Sequence, residues 1–204
     1  MKKYFVALTT TALISAAPFA LAASSTDLMV RGIITPVACT PDFTGGGDID
    51  IGKISSGDLN PDTNTLVGSH PIQLVVNCDA ATKFALNPID NQPGTSIGDW
   101  FGLGLTPDNE KLGFFFPKVM QVKEGATSLD AIKSDDGGTT WEKAGDAQAG
   151  WLLSVAATGG SAPIDVKDVT FDFEVDTYIA PANSLNINTD VTIDGSATFE
   201  VKYL

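Results

Sequence analysis

Residues 190–204 read DVTIDGSATFEVKYL. Every second position in this stretch is apolar or small: Val191, Ile193, Gly195, Ala197, Phe199, Val201 and Tyr203. Between them stand Thr192, Asp194, Ser196, Thr198, Glu200 and Lys202, all polar. A strand sends successive side chains to opposite faces, so this pattern predicts one long strand with a dry face and a wet face. Alternation gains nothing in a frayed tail, so the dry face is expected to dock as a wall of a core.

The chain upstream supports a core of the same kind. Residues 169–179 alternate Val169, Phe171, Phe173, Val175, Thr177 and Ile179 with polar partners. Residues 71–77 (PIQLVVN) form a second strong strand candidate, and 82–86 (TKFAL) after a short polar turn suggests its hairpin partner. Residues 28–39 (LMVRGIITPVAC) are strand-like, with Pro36 confining them to an edge or bulge. PDFTGGG then reads as a turn cluster, Ile49, Ile51 and Ile54 as a short alternating run, and 55–70 as a loop. From 90 to 150 the pattern weakens into an irregular insertion. Its strand candidates are 100–105, 112–122 and a hairpin near 133–143, with one helical turn at 126–133 and order returning at 151–156. Short strands, frequent turn signals and no βαβ rhythm predict an all-β, immunoglobulin-like sandwich.

Residues 1–22 carry Lys2 and Lys3, an apolar stretch and Ala20-Leu21-Ala22, the pattern of a secretory signal peptide cleaved after Ala22. The mature chain, 23–204, is then expected to be a single domain with no membrane insertion. Losing the two lysines takes the net charge from −13 to −15, which disfavours nucleic acid or an anionic membrane as partner. Arg31 is the only arginine, so no arginine cluster exists for phosphate or carboxylate recognition. The two cysteines, Cys39 and Cys78, would meet an oxidising compartment and are expected to form one disulfide.

These residues together carry a resemblance. Gly32, Ile33 and Ile34 ahead of Cys39 are similar to the first-strand motif of chaperone–usher pilus subunits. Cys78 at the end of a β-branched strand sits where such subunits place their second cysteine. The ending, with Ala197, Phe199, Val201 and a penultimate Tyr203, resembles theirs more closely still. Within that superfamily, residues 78–94 (CDAATKFALNPIDNQPG) are similar to a set of pilin-like exported proteobacterial proteins catalogued as a domain of unknown function. The resemblance implies a pilin-type sandwich with an incomplete edge. Its apolar groove would be walled by the C-terminal strand and filled first by a periplasmic chaperone. After delivery to an outer-membrane usher, a neighbouring subunit would fill it by β-strand addition. It implies location in the periplasm and then in a fimbrium or at the cell surface. Two features set this chain apart from a shaft subunit. Only nine residues, 23–31, precede Gly32, with Leu28 and Val30 as the donor segment, so a minor or tip component is expected. Val191 also stands where such families usually carry glycine, the nearest being Gly195.

Other constellations have simpler readings. Ser134, Asp136, Gly138, Thr140 and Trp141 fit an Asp-box, which here is read as a hairpin device: Asp136 caps backbone amides and Trp141 packs back over the turn. The acidic pairs Asp48/Asp50, Asp135/Asp136 and Asp165/Asp168 match no calcium loop and read as solvated faces, so no metal or cofactor is expected. His70 is the only histidine and no nucleophile frame surrounds it, so no enzyme activity is expected. Trp100 and Trp151 are candidate contacts for a glycan receptor. Two alternatives therefore stand beside the structural subunit: a carbohydrate-binding adhesin module built on 90–150, and a self-contained periplasmic sandwich.

Overall fold

The computed structural model describes residues 28, 29 and 38–204. The signal peptide, Val30 and the Gly32-Ile33-Ile34 motif lie outside the described residues. Leu28 and Met29 are exposed and belong to a separate N-terminal unit, Met1–Ile34. The second unit, Thr35–Leu204, holds the described residues 38–204.

The described residues of this second unit form ten strands: β1 Cys39–Phe43, β2 Thr65–Thr82, β3 Phe84–Asp90, β4 Phe101–Gly102 and β5 Gly113–Glu124. Then come β6 Thr127–Ser134, β7 Glu142–Lys143, β8 Leu152–Ala157, β9 Val166–Ile179 and β10 Ala197–Tyr203. They form one antiparallel sheet in the order β1-β2-β9-β5-β6-β8-β3-β10, with β4 attached to β5 and β7 to β6. The protein is all-β. The sheet wraps over on itself, so β1-β2-β9-β5 faces β8-β3-β10 across a shared core. In immunoglobulin terms β1, β2, β9 and β5 take the places of strands A, B, E and D, while β3 and β10 take those of C and F. No described residue occupies the place of strand G.

The core sits between these layers. Leu74 and Val76 of β2 and Phe171 and Phe173 of β9 cluster with Phe84 and Leu86 of β3 and Leu153 and Val155 of β8. On β9 the period-2 pattern works as expected: Val169, Phe171, Phe173 and Val175 are buried, and the other face is wetter. Asp176 breaks the pattern, because it is buried on that outer face. It is paired with Lys118 and accepts a hydrogen bond from Ser69 Oγ at 2.6 Å. Asp176 and, next in weight, Glu174 raise the pKa of Lys118 above the usual lysine value. The strand β8 shows no alternation because Leu152–Ala156 are buried on both faces; Ser154 Oγ satisfies itself by donating to Phe84 O at 2.6 Å.

Several expectations need correction. The β2–β3 hairpin does not form. These strands lie in opposite layers, joined through Lys83, because both carry a buried face and gain more by packing across the core. β2 begins at Thr65, inside the expected loop, with a bulge between Leu66 and Gly68. The Ile49–Ile54 run forms no strand, whereas the expected turn cluster supplies β1. The helical turn at 126–133 is strand β6: Gly125 at φ 56° makes a tight turn that pairs Val122 with Leu129. The stretch 90–150 is thus an insertion only in part, since β5 and β6 are central strands of the sheet.

Cys39 and Cys78 are disulfide-bonded and paired in register on β1 and β2. The bond closes a separation of 39 residues, worth about 4 kcal/mol in the chain-entropy account. The Cys39→Ser/Cys78→Ser variant is expected to unfold in urea with stability lowered by about that amount. An unchanged midpoint would contradict the role given to the bond.

Candidate functional site

The C-terminal strand is shorter than its sequence pattern. Only Ala197–Tyr203 is strand, and 185–196 belongs to no strand and bends at 188–189. Val191 and Ile193 are half-buried against a second cluster formed by Leu59, Leu103, Leu112 and Ile179. Gly195 marks the change of partner. A Cβ there would come within 2.7 Å of Leu103 Cδ2 and 2.9 Å of Phe115 Cε1, so only glycine passes without displacing them. Of the seven expected wall residues, Ala197, Phe199, Val201 and Tyr203 form a continuous face on β10. Val191, Ile193 and Gly195 do not belong to it.

The register of β10 decides which way its backbone points. Asn91 N donates to Ser196 O at 3.0 Å, and Leu204 N donates to Lys83 O at 3.1 Å. In an antiparallel ladder, bonded and non-bonded pairs alternate. Even-numbered residues of β10 therefore exchange hydrogen bonds with β3. The N–H and C=O groups of Ala197, Phe199, Val201 and Tyr203 turn to the opposite, outer edge. The same four residues face inward, opposite Asp90, Pro88, Leu86 and Phe84. Ala197, Phe199 and Val201 are half-buried and Tyr203 is 40% exposed, whereas the inward residues of the interior strand β9 lie at 7% or below. One row of residues thus presents both unpaired main chain and incompletely covered apolar surface.

The facing edge belongs to β1. Asp79 N donates to Ala38 O at 2.9 Å, which by the same alternation turns the backbone groups of Cys39, Pro41 and Phe43 toward β10. No ladder joins the two edges; side chains span them instead. Cys39 N donates to Tyr203 Oη at 2.8 Å, and the Phe43 and Phe199 rings meet edge to face at 5.3 Å. Phe173 backs Phe199 from the core at 6.1 Å. Beyond Phe43 the ladder with β2 ends, Thr44 Oγ1 still donates to Gln73 O at 3.3 Å, and a cleft of about 430 Å³ opens beside Pro71, Ile72 and Gln73. Phe43 escapes a reading of the sequence because glycines and a proline surround it. The alternation Cys39, Pro41, Phe43 is the signal that points to it.

Trp100 and Trp151 do not converge. Trp100 packs tilted against Phe116 with centroids 4.8 Å apart, in an outer-face group that includes Phe114 and Tyr178. Trp151 lies under Lys133, whose Nζ is 4.6 Å from the ring centroid. The Asp-box forms the hairpin turn expected of it, bringing β6 to β7. Asp136 accepts hydrogen bonds from the amides of Thr139 and Thr140, from Thr140 Oγ1 and from Ser134 Oγ. Trp141 Nε1 donates to Gly138 O at 3.0 Å. The Thr140 amide and hydroxyl, followed by Ser134, hold the Asp136 carboxyl well below the usual carboxylate range.

Two comparisons bear on kinship. The profile of a family described as "Protein of unknown function (DUF1120)" matches residues 28–99. The chain is 29% identical to Protein GltF of Escherichia coli (strain K12), over 95% of each chain. It is 24% identical to the uncharacterized protein YhcF of the same organism, over 91% of this chain and 94% of that one. The similarity to GltF and YhcF thus extends over most of the chain.

The depressed pKa of Asp136 has a definite sign. Its contribution is fully present above the unfolded value of about 3.9 and is lost as pH falls from there toward the lower folded value. Asp136→Ala is therefore expected to be less stable than the parent at pH 7, with the gap narrowing below about pH 4. Parallel thermal melts across pH check this; a gap independent of pH would contradict it.

Proposed function

We propose that this chain is an exported structural subunit of pilin type, which accepts a β-strand from another protein along the outer edge of β10. The single observation that carries this reading is the coincidence on Ala197, Phe199 and Val201 of outward-turned backbone groups with half-covered inward side chains. A strand added there would complete the ladder of β10 and place its alternate side chains over the exposed part of the core, as β-augmentation requires. The resemblance to chaperone–usher subunits supplies the partners: a periplasmic chaperone first, then an outer-membrane usher and a neighbouring subunit in a fimbrium. The role is structural rather than catalytic, that of a minor or tip component.

In the free chain, β1 closes toward β10 through the Tyr203–Cys39 hydrogen bond and the Phe43–Phe199 contact. An incoming strand displaces both, and its own hydrogen bonds and apolar side chains replace them. The disulfide keeps the start of β1 anchored to β2 while this happens.

Co-expression with an edge-strand periplasmic chaperone from the same genome tests the reading. A one-to-one complex is expected, with the melting temperature raised by about 5–10 °C at saturating chaperone. Val201→Asp puts a charge on the apolar wall and is expected to abolish the complex while leaving the disulfide intact. A chain that purifies alone, with its melting temperature unmoved by chaperone, would overturn the proposal.

A further inference from the structure

A second feature, independent of how β10 is used, lies at the Asp-box hairpin. Lys133, Asp135, Thr140, Trp141, Glu142 and Trp151 enclose a cleft of about 130 Å³. That volume is well below that of pockets for drug-sized ligands, so a ligand seated there is small and keeps one side in solvent. We infer that this cleft is a binding site for a neutral pyranose, with the Trp141 and Trp151 indoles against the ring and the Asp135 and Glu142 carboxylates on its hydroxyls.

The arrangement is held in place before any ligand arrives. Trp141 is fixed by its Nε1–Gly138 O hydrogen bond. Thr140 is locked through both its amide and hydroxyl by Asp136. Trp151 is held by the Lys133 ammonium, which is itself anchored 3.4 Å from Asp146. Little side-chain entropy is then lost on binding, which is what gives a small ligand measurable affinity. The acceptors, by contrast, are free. Among the described residues Asp135 has no hydrogen-bond or ion-pair partner, and the one contact of the Glu142 carboxylate is Lys133 at 3.9 Å. Indole faces carry the negative side of the ring quadrupole and attract the weakly positive C–H edges of a sugar. Carboxylates accept from its hydroxyls through charge-assisted hydrogen bonds.

Charge selects among sugars. Asp135, Glu142 and Asp146 outnumber the single ammonium of Lys133, on a chain of net charge −13, so uronic and sialic acids are repelled. Lys133 already sits over the Trp151 ring, so a second cation would meet a like charge there. A neutral polyol is the ligand class that remains.

Titration of the whole protein with methyl glycosides of glucose, galactose, mannose and N-acetylglucosamine tests this, by tryptophan emission and ligand-observed NMR saturation transfer. At least one is expected to bind saturably with a Kd of about 1 mM. Binding is expected to weaken about tenfold or more in Trp151→Ala and to persist in Trp100→Phe. Should Trp151→Ala not fold, the exposed double variant Asp135→Asn/Glu142→Gln decides, and the same weakening is expected of it. Absence of saturable binding to every glycoside, binding unaffected by these substitutions, or tighter binding of glucuronate or glucosamine would each overturn the assignment.

Discussion

The structure depends on how one row of main-chain groups meets its hydrogen-bonding demand. A buried donor or acceptor left without a partner costs about 1–3 kcal/mol, and an open strand edge invites pairing with other chains. Along β10 the outward groups belong to the residues that also line the core, so the edge cannot simply be turned to water without wetting Phe199 and Val201. The fold answers with side chains in place of a ladder. Tyr203 Oη takes the Cys39 amide, Phe43 covers Phe199, and Pro41 on the facing edge has no N–H to leave unpaired. This arrangement closes the sheet without consuming the groups that a further strand would use.

That closure relies on elements far away in sequence. The disulfide pins β1 to β2 at the residue whose amide reaches Tyr203, 164 positions further along the chain. Phe173, at the centre of β9, sets the depth at which Phe199 rests. Gly195 lets the chain slip between Leu103 and Phe115, and so delivers β10 to β3 while Val191 and Ile193 stay with the second cluster. Fold and candidate site are therefore one problem in packing.

Much of this is legible in the residues, and the failures have physical causes. The alternation of β9 and of the second half of 190–204 determines which side chains face inward, because a period of two has one solution once a core exists. The first half of 190–204 alternates just as well, yet its apolar residues pack against loops instead of joining a ladder. Periodicity reports a dry face and says nothing of hydrogen bonds. The strands β2 and β3 read as a hairpin for a related reason: adjacency in sequence favours pairing, but two strands with fully buried faces satisfy each other better across a core. The strand β6 is obscured because Ala126, Leu129 and Ile132 happen to fall at helical spacing, and only the turn at Gly125 rules the helix out. At the Asp-box the hairpin is legible from Asp136 and the glycines. That Trp141 and Trp151 line one cleft is not, since it follows from β6 pairing with both β7 and β8, which begin just after them.

Residue-resolved amide hydrogen exchange along β10 tests the central claim most directly. An open outer edge produces an alternation within one strand: slow exchange at Thr198, Glu200 and Lys202, whose amides donate to β3, and fast exchange at Ala197, Phe199 and Val201, whose amides face the open edge. Uniform protection across all six, in the protein alone, would mean that the outer edge of β10 already has a partner strand, and would contradict the account.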